Sequence, residues 1–186
     1  MEDKNLKQLT DYKWINLYSR KIKDDGEYYF CSRRKGENVA KHGVVDAVRV
    51  IPYFVKEGKT YIVVNTQFRY AMQNELYELC AGLVESGEAP EQAAKREVLE
   101  ETGARVLEIK ELFGGYNSAG MSDEFTRCFI ARVVLDGTQN LDEDEQISIK
   151  IIALNDIPKL VESDAFCLHS KTLLMMFYYM QKADRK

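Results

Sequence analysis

The segment that decides the fold spans residues 82–104 and reads GLVESGEAPEQAAKREVLEETGA. Its second half predicts a helix. Pro90 suits the first turn of that helix, where its missing N–H costs nothing, and Gly103 suits the residue just past the C-terminus. Alanine, lysine, leucine and glutamate, which favour helices, fill most positions in between. We therefore expect a loop that runs into a helix ending at Gly103.

Three glutamates of this helix share one face. At about 100° per residue, Glu97 and Glu101 project about 40° apart, and Glu100 lies about 60° away on the other side of Glu97. Two unit charges 4 Å apart repel by roughly 1 kcal/mol in water, and by more where the site is partly desolvated. A hard cation such as Mg²⁺, which prefers carboxylate oxygens, would remove that repulsion. The carboxylates taken alone favour the alternative, a solvated acidic face.

The spacing of the whole segment reverses that preference. It resembles the signature of the Nudix hydrolases, and the matching positions are Gly82, Glu88, Arg96, Glu97, Val98, Glu100, Glu101, Gly103 and Ala104. Every glycine, glutamate and arginine of the signature is present, and Ala104 stands where a larger aliphatic residue is usual. We call residues 82–104 the Nudix box.

The resemblance implies a fold and a chemistry. The fold is an α/β (α+β) Nudix fold, with a mixed β-sheet sandwiched between helices and a small N-terminal β-subdomain. Residues 1–42 would form that subdomain and serve dimerisation, and residues 43–186 would form the hydrolase domain. The implied reaction is metal-dependent cleavage of a nucleoside diphosphate linked to another moiety.

The resemblance also assigns roles within the box. Glu97, Glu100 and Glu101 would ligate the metal, which would be Mg²⁺ with Mn²⁺ as a possible substitute. Glu88 and Arg96 would form a pair that supports the helix, with Gly82 and Gly103 as further structural support. Bound metal would neutralise the diphosphate and lower the pKa of the attacking water.

Two segments upstream resemble one branch of the family, the ADP-ribose pyrophosphatases. They read Thr66-Gln67-Phe68-Arg69-Tyr70 and Tyr77-Glu78-Leu79-Cys80-Ala81-Gly82. Arg69 would contact the substrate, although a surface charge at a strand end is the alternative. Glu78 would also bind substrate, and the backbone carbonyl of Ala81 would be a metal ligand.

A downstream loop resembles the branch with a difference. Residues 116–124 read YNSAGMSDE, where the branch usually has Ser-Pro-Gly, and Gly120 would lie against the substrate. Ala119 and Cys80 both stand where the branch has proline. The preferred reaction is ADP-ribose to AMP and ribose 5-phosphate, but these departures leave GDP-mannose, UDP-glucose and ADP-glucose open as substrates.

Four further candidate residues and one partner follow from the same resemblance. Glu145, or else Glu143, lies in an acidic run before a predicted strand and would approach the catalytic water; a solvated loop is the alternative. Trp14 and Tyr29 would stack on the adenine, with strand packing or a dimer interface as the alternative. The family implies a homodimer.

Two other functions remain open. A Nudix domain retained as a non-catalytic ligand-binding sensor would usually have lost charged residues of the box. Every charged residue of the box is present here. Hydrolysis of damaged nucleoside triphosphates fits poorly, because such proteins tend to be shorter and to lack N-terminal strands.

Composition limits the remaining classes of protein. The chain has 186 residues, 45% hydrophobic and 30% charged, with a formal charge of −4, which argues against a partner held by overall positive charge such as nucleic acid. No apolar run approaches the roughly 20 residues that span a bilayer, and the N-terminus lacks an apolar signal segment. Four widely spaced cysteines fit a reducing compartment, so we expect a cytoplasmic protein without membrane partners.

The rest of the chain predicts strands and two more helices. Residues 9–34 would contain two or three strands, and residues 44–64 a hairpin in which Pro52 marks an edge or a bulge. Later strands are expected at 76–80, 106–109, 125–135 and 147–154. Helices are expected to begin at residues 155–158 and to span residues 170–181.

Overall fold

The computed structural model describes residues 5–142 and 145–183. The chain forms two compact units. The first takes in the chain up to Ala47 together with Gly114–Arg127, and the second consists of Val48–Phe113 and Cys128–Lys186. The contribution of residues 114–127 to the first unit is a tertiary feature that the sequence did not indicate.

The first unit contains a three-stranded antiparallel sheet in the order β1-β2-β3. Its strands are β1 (Leu6–Gln8), β2 (Asn16–Lys21) and β3 (Glu27–Ser32). Tyr18 and Phe30 face each other in the register, and their stacked rings lie 5.8 Å apart between centroids. Trp14 lies in a bend before β2 rather than within a strand.

Hydrogen bonds attach residues 114–127 to the remainder of the first unit. The backbone N–H of Cys31 donates to the carbonyl of Met121 at 2.8 Å, and that of Asp46 donates to Phe125 at 2.9 Å. Arg34 and Asp46 form a buried ion pair, which raises the pKa of the arginine. The two backbone hydrogen bonds join segments about 80 to 90 positions apart in the sequence.

The second unit is built on a mixed seven-stranded sheet in the order β10-β5-β4-β9-β8, with β6 paired to β5 and β7 paired to β4. The strands are β4 (Ala47–Lys56), β5 (Lys59–Arg69), β6 (Asn74–Glu78), β7 (Cys80–Leu83), β8 (Ala104–Tyr116), β9 (Phe125–Leu135) and β10 (Ile147–Ala153). The ends of β8 and β9 that adjoin residues 117–124 belong to the first unit.

Pro52 does not mark an edge strand. Strand β4 lies between β5 and β9, and Pro52 is buried within it. The register with β5 begins at Tyr53, directly after the proline, and β4 also pairs with β7. The missing N–H of Pro52 therefore falls beside the point where the β5 pairing starts.

Helices cover both faces of this sheet. They are α1 (Pro90–Thr102), α2 (Ile157–Leu160) and α3 (Leu168–Ala183). Val48 and Val50 pack in one core with α1, whereas Ile51 packs in the other with α2 and α3, as strand alternation requires. None of the described helices has the length and apolar character needed to span a membrane.

Candidate active site

Helix α1 has the boundaries that the sequence predicted. The N–H of Ala89 donates to Oε1 of Gln92 at 3.2 Å, and Pro90 occupies the first helical position. Gly103 ends the helix in a left-handed conformation (φ 66°), with its N–H donating to Leu99 at 2.8 Å. Val98 is fully buried against the sheet. This packing fixes the rotation of the helix, and with it the direction of the glutamates.

Arg96 joins four groups of the box. Its Nε and Nη2 donate to the two carboxylate oxygens of Glu88, each at 3.0 Å. Its Nη1 donates to Glu97 at 2.8 Å and to Glu100 at 3.0 Å, and Nη2 also donates to the carbonyl of Leu83 at 2.9 Å. The pairing with Glu88 is the main cause of the raised pKa of Arg96, and it lowers the pKa of Glu88. We call Arg96 with these three glutamates the Arg96 cluster.

Gly82 provides the space for Glu97. A Cβ added at Gly82 would lie 1.9 Å from both Cδ and Oε1 of Glu97, well inside any allowed contact. Glu97 is 8% exposed, and burial is the main cause of its raised pKa, which Arg96 partly offsets. The glycine of the box therefore has a steric reason that acts through a glutamate 15 positions later.

Glu101 is the most buried acid of the site, at 3% exposure. Its Oε2 accepts hydrogen bonds from Nδ2 of Asn65 at 2.8 Å and from the N–H of Ala81 at 3.1 Å. The neighbouring Cys80 thiol lowers the pKa of this carboxylate. Burial, with a contribution from the charge of Glu97, raises the pKa of Glu101 to about 8. We call Asn65, Cys80, Ala81 and Glu101 the Glu101 pocket.

The loop after β9 contacts the C-terminal end of α1. Nε2 of Gln139 donates to the carbonyl of Glu101 at 2.5 Å, and the N–H of Asn140 donates to the carbonyl of Glu100 at 2.8 Å. Both bonds satisfy carbonyls that a helix leaves free at its end. They also fix the start of the acidic segment that leads to Glu145.

Glu145 lies close enough to the site to act on it electrostatically. Its charge contributes to the raised pKa values of Glu97 and Glu101. Its own carboxylate accepts a hydrogen bond from the N–H of Asp142 at 3.2 Å, within the same loop. Glu143, the other candidate for contact with the catalytic water, lies outside the described residues.

Arg69 is held by Glu78. Its Nε and Nη2 donate to the two oxygens of Glu78 at 2.5 and 2.7 Å, and this pairing raises the pKa of the arginine. The Glu78 side chain is 6% exposed, while that of Arg69 is 41% exposed. The buried acid thus orients the arginine, and a large part of the guanidinium side chain stays accessible.

The remaining predicted residues belong to the first unit. Trp14 is 61% exposed, with Nζ of Lys13 4.2 Å from its ring centroid. Tyr29 is 55% exposed, and its hydroxyl donates to Glu27 at 2.7 Å. The carbonyl of Gly120 accepts the hydroxyl of Tyr28 at 2.6 Å. Trp14 and Tyr29 are available to a ligand or to a partner chain.

The donor set suits a hard cation in its chemistry. Glu97 and Glu101 are buried carboxylates with raised pKa values, and the buried Oδ1 of Asn65 has no partner among the described residues. Within that part of the chain, no three acidic, histidine or cysteine side chains already converge as a complete metal cluster. The Glu97 and Glu100 carboxylates are both paired with the guanidinium of Arg96.

Two residues of the site were not predicted from the sequence. Asn65 contacts Glu101, and Gln139 contacts the end of α1. A signal for Asn65 was present, because it is a polar residue directly after the apolar run Ile62-Val63-Val64 of one strand. Gln139 lies in a polar loop and has no comparable signal.

Comparison with known proteins places the chain in a family. The NUDIX domain family matches residues 43–169. The chain is 35% identical to an ADP-ribose pyrophosphatase of Bacillus subtilis, over 88% of this chain and 85% of that protein. It is 30% identical to a GDP-mannose pyrophosphatase of Escherichia coli, over 88% and 94%.

A solved structure supports the fold. The crystal structure of an ADP compounds hydrolase superposes with a TM-score of 0.74 at 14% identity, covering 97% of this chain and 94% of that one. The expected Nudix fold, with helices on both faces of a mixed sheet, is confirmed. Together with the family match over the box, this shows that the chain belongs to the Nudix hydrolase family.

Proposed function

We propose that this protein is a Mg²⁺-dependent hydrolase of ADP-ribose that releases AMP and ribose 5-phosphate. The observation that carries the proposal is the pair of buried carboxylates, Glu97 and Glu101, within a complete Nudix box. Burial raises the pKa of both acids, and the charge of Glu97 raises that of Glu101 further, so a cation between them would stabilise the ionised pair. A nucleoside diphosphate-sugar supplies the phosphate oxygens that Mg²⁺ prefers as its remaining ligands.

Each residue of the site has a part in this proposal. Glu97, Glu100, Glu101 and the carbonyl of Ala81 hold the cation. When bound, Mg²⁺ neutralises the diphosphate and lowers the pKa of a coordinated water, with Mn²⁺ as a substitute. Glu145 accepts the proton of the attacking water, and Glu143 is the alternative acceptor.

The substrate is held by residues outside the box. Arg69 contacts the phosphates or the ribose, because Glu78 fixes its orientation and leaves much of its side chain accessible. Gly120 lies against the group attached to the diphosphate. Trp14 and Tyr29, both largely exposed, stack on the adenine.

GDP-mannose is the second candidate substrate. A GDP-mannose pyrophosphatase is 30% identical to the chain, against 35% for the ADP-ribose pyrophosphatase. Ala119 and Cys80 also stand where the ADP-ribose branch has proline. We favour ADP-ribose because of the higher identity over a similar share of the chain.

We also propose a cytoplasmic homodimer. The exposed aromatic residues of the first unit, which include Tyr12, Trp14 and Tyr29, support a protein interface there. The four cysteines are free, which supports a reducing compartment. Light scattering after gel filtration, at several protein concentrations, measures the assembly state; a monomer at all of them contradicts the dimer.

The reaction is tested with a panel of substrates. ADP-ribose, GDP-mannose, UDP-glucose, ADP-glucose and NADH are incubated with Mg²⁺ and then with EDTA, and the products are identified by mass. We expect AMP from ADP-ribose with the highest kcat/KM and no turnover in EDTA. A higher kcat/KM for another nucleotide sugar contradicts the substrate, and turnover of none of the panel supports a non-catalytic sensor.

A further inference from the structure

The Glu101 pocket holds a buried carboxyl group that has no cationic partner among the described residues. In the described part of the chain, Glu101 forms no ion pair, and the hydrogen-bond donors to its carboxylate are the Asn65 amide and the Ala81 N–H. The Asn65 and Ala81 bonds both end on Oε2. Because a carboxylate is rigid and planar, holding Oε2 from two directions also determines where Oε1 points.

Asn65 is an unusual residue for its position in the fold. It lies in β5 at 3% exposure, directly after Val63 and Val64, which are both fully buried. Its Oδ1 is buried and has no partner among the described residues. An unpaired buried acceptor destabilises a fold, so packing alone does not explain an asparagine here. The hydrogen bond from Nδ2 of Asn65 to Glu101, at 2.8 Å, does explain why an asparagine occupies this position.

We propose that Asn65 is a positioning residue for metal binding, which acts by holding the Glu101 carboxylate in the orientation that a divalent cation requires. The Cys80 thiol, on strand β7, lowers the pKa of the same carboxyl group. The inference rests on the proposed function in one respect, namely that Glu101 is a metal ligand. It adds a residue outside the Nudix box, on another element of secondary structure, to the groups that determine metal affinity.

The size of the effect follows from other metal sites. Residues that hydrogen-bond to metal ligands typically change metal affinity by 10–100-fold when they are removed. The loss acts on binding rather than on the chemical step, because Asn65 touches the ligand and not the substrate. We therefore expect the activating metal concentration to rise while kcat at saturating metal stays within about threefold.

The test is a matched pair of variants, Asn65→Val and Asn65→Thr. The two side chains have the same shape and both suit a strand, but only threonine keeps a hydrogen-bond donor. Binding of Mn²⁺ to the metal-free protein is measured directly by electron paramagnetic resonance, without substrate. We expect Asn65→Val to raise the Kd for Mn²⁺ by about 10–100-fold, and Asn65→Thr to raise it at least threefold less.

A control on the same strand separates this effect from general damage to the sheet. Thr66 is 8% exposed, and its hydroxyl contacts the carbonyl of Ser148 on β10 instead of Glu101. Thr66→Val should leave the Kd for Mn²⁺ unchanged. If Asn65→Val does not fold, judged by circular dichroism, then Asn65→Ala and Asn65→Ser form a second pair with the same logic.

Three outcomes overturn the inference. They are a wild-type Kd for Asn65→Val, equal shifts for the valine and threonine variants, and an equal shift for Thr66→Val. Failure of the proposed function gives a different result. In that case either the wild-type protein itself binds no Mn²⁺, or it binds Mn²⁺ with this dependence on Asn65 and still does not hydrolyse ADP-ribose.

Discussion

The Arg96 cluster and the Glu101 pocket, on two sides of the glutamate face of α1, hold their carboxylates with different kinds of partner. In the Arg96 cluster, one guanidinium forms ion pairs with Glu88, Glu97 and Glu100, and the contacts join residues at most eight positions apart. In the Glu101 pocket, neutral donors from β5 and β7 hold a carboxylate that no arginine or lysine of the described chain pairs with. The first side has one positive charge for its three carboxylates, whereas the second has none among the described residues. The site therefore needs its cation most at Glu101.

Of the four changes considered, removal of the Glu101 carboxylate should lower the activity of the site the most. Glu101→Gln keeps the shape of the side chain but removes the proposed metal ligand from the side that has no other charge. We expect kcat to fall by about 10³-fold, which corresponds to about 4 kcal/mol of barrier. Turnover of ADP-ribose at saturating Mg²⁺ measures it. Glu91→Gln, an exposed acid on the first turn of the same helix, is the control and should retain full activity.

Filling the space at Gly82 should have the second largest effect. In Gly82→Ala the new methyl group meets the Glu97 carboxylate, which must move away by more than an ångström. A displacement of about 1 Å in a catalytic site costs about 10²-fold in rate. Steady-state kcat/KM is the measurement. Gly115→Ala, where an added Cβ meets nothing, serves as the matched control; equal losses in the two variants would disprove the steric argument.

The pH dependence of metal binding reports on the Glu101 pocket directly. The pKa of Glu101 is raised to about 8, above its ordinary value of 4.5, so its carboxyl carries a proton at lower pH. That proton must leave before the metal binds. We expect metal affinity to be constant above pH 8 and to fall about tenfold per pH unit below it. Titration calorimetry with Mn²⁺ from pH 6 to 9 tests this; an affinity independent of pH would contradict it.

Disruption of the Arg96 cluster should have the smallest effect of the four. Arg96→Lys keeps the charge but cannot make the two-pronged contact with Glu88 or reach Leu83 at the same time. We expect the free energy of unfolding to fall by about 2 kcal/mol, as measured by urea denaturation in EDTA.

A neighbouring ion pair provides the comparison for that loss. Lys95→Ala removes the exposed contact with Glu91 and should change the free energy of unfolding by less than about 0.5 kcal/mol. Equal losses in Arg96→Lys and Lys95→Ala would show that the Arg96 cluster has no special structural role.

Much of the site could be predicted because its parts are close in sequence. Helix α1 begins at Pro90 and ends before Gly103 as expected, and the spacing of the glutamates places them on one face. The long strands β5, β9 and β10 were also expected in outline. Strand β8 is longer than predicted, from Ala104 to Tyr116, because pairing in the sheet extends it beyond its short apolar run.

Other features depend on contacts between distant segments. The edge or bulge expected at Pro52 had to be inferred without knowing which strands flank β4, and the edge alternative is wrong. The addition of residues 114–127 to the first unit depends on the Asp46 and Cys31 hydrogen bonds. The four-residue helix α2 was predicted only by its starting position, since its length depends on packing of Ile157.

The sequence by itself determined the Nudix box, its helix and the placement of Glu97, Glu100 and Glu101 on one face, because helical geometry repeats every 3.6 residues and needs no other segment. Only the tertiary structure decided how deeply each carboxylate is buried and which groups contact it. Asn65 lies 36 positions before Glu101 and Gln139 lies 38 positions after it, and both reach it through the sheet and the loop that the fold brings together. Burial depends on those neighbours, so the difference between the carboxylates paired with Arg96 and the Glu101 carboxyl held by neutral donors appears only in the folded chain.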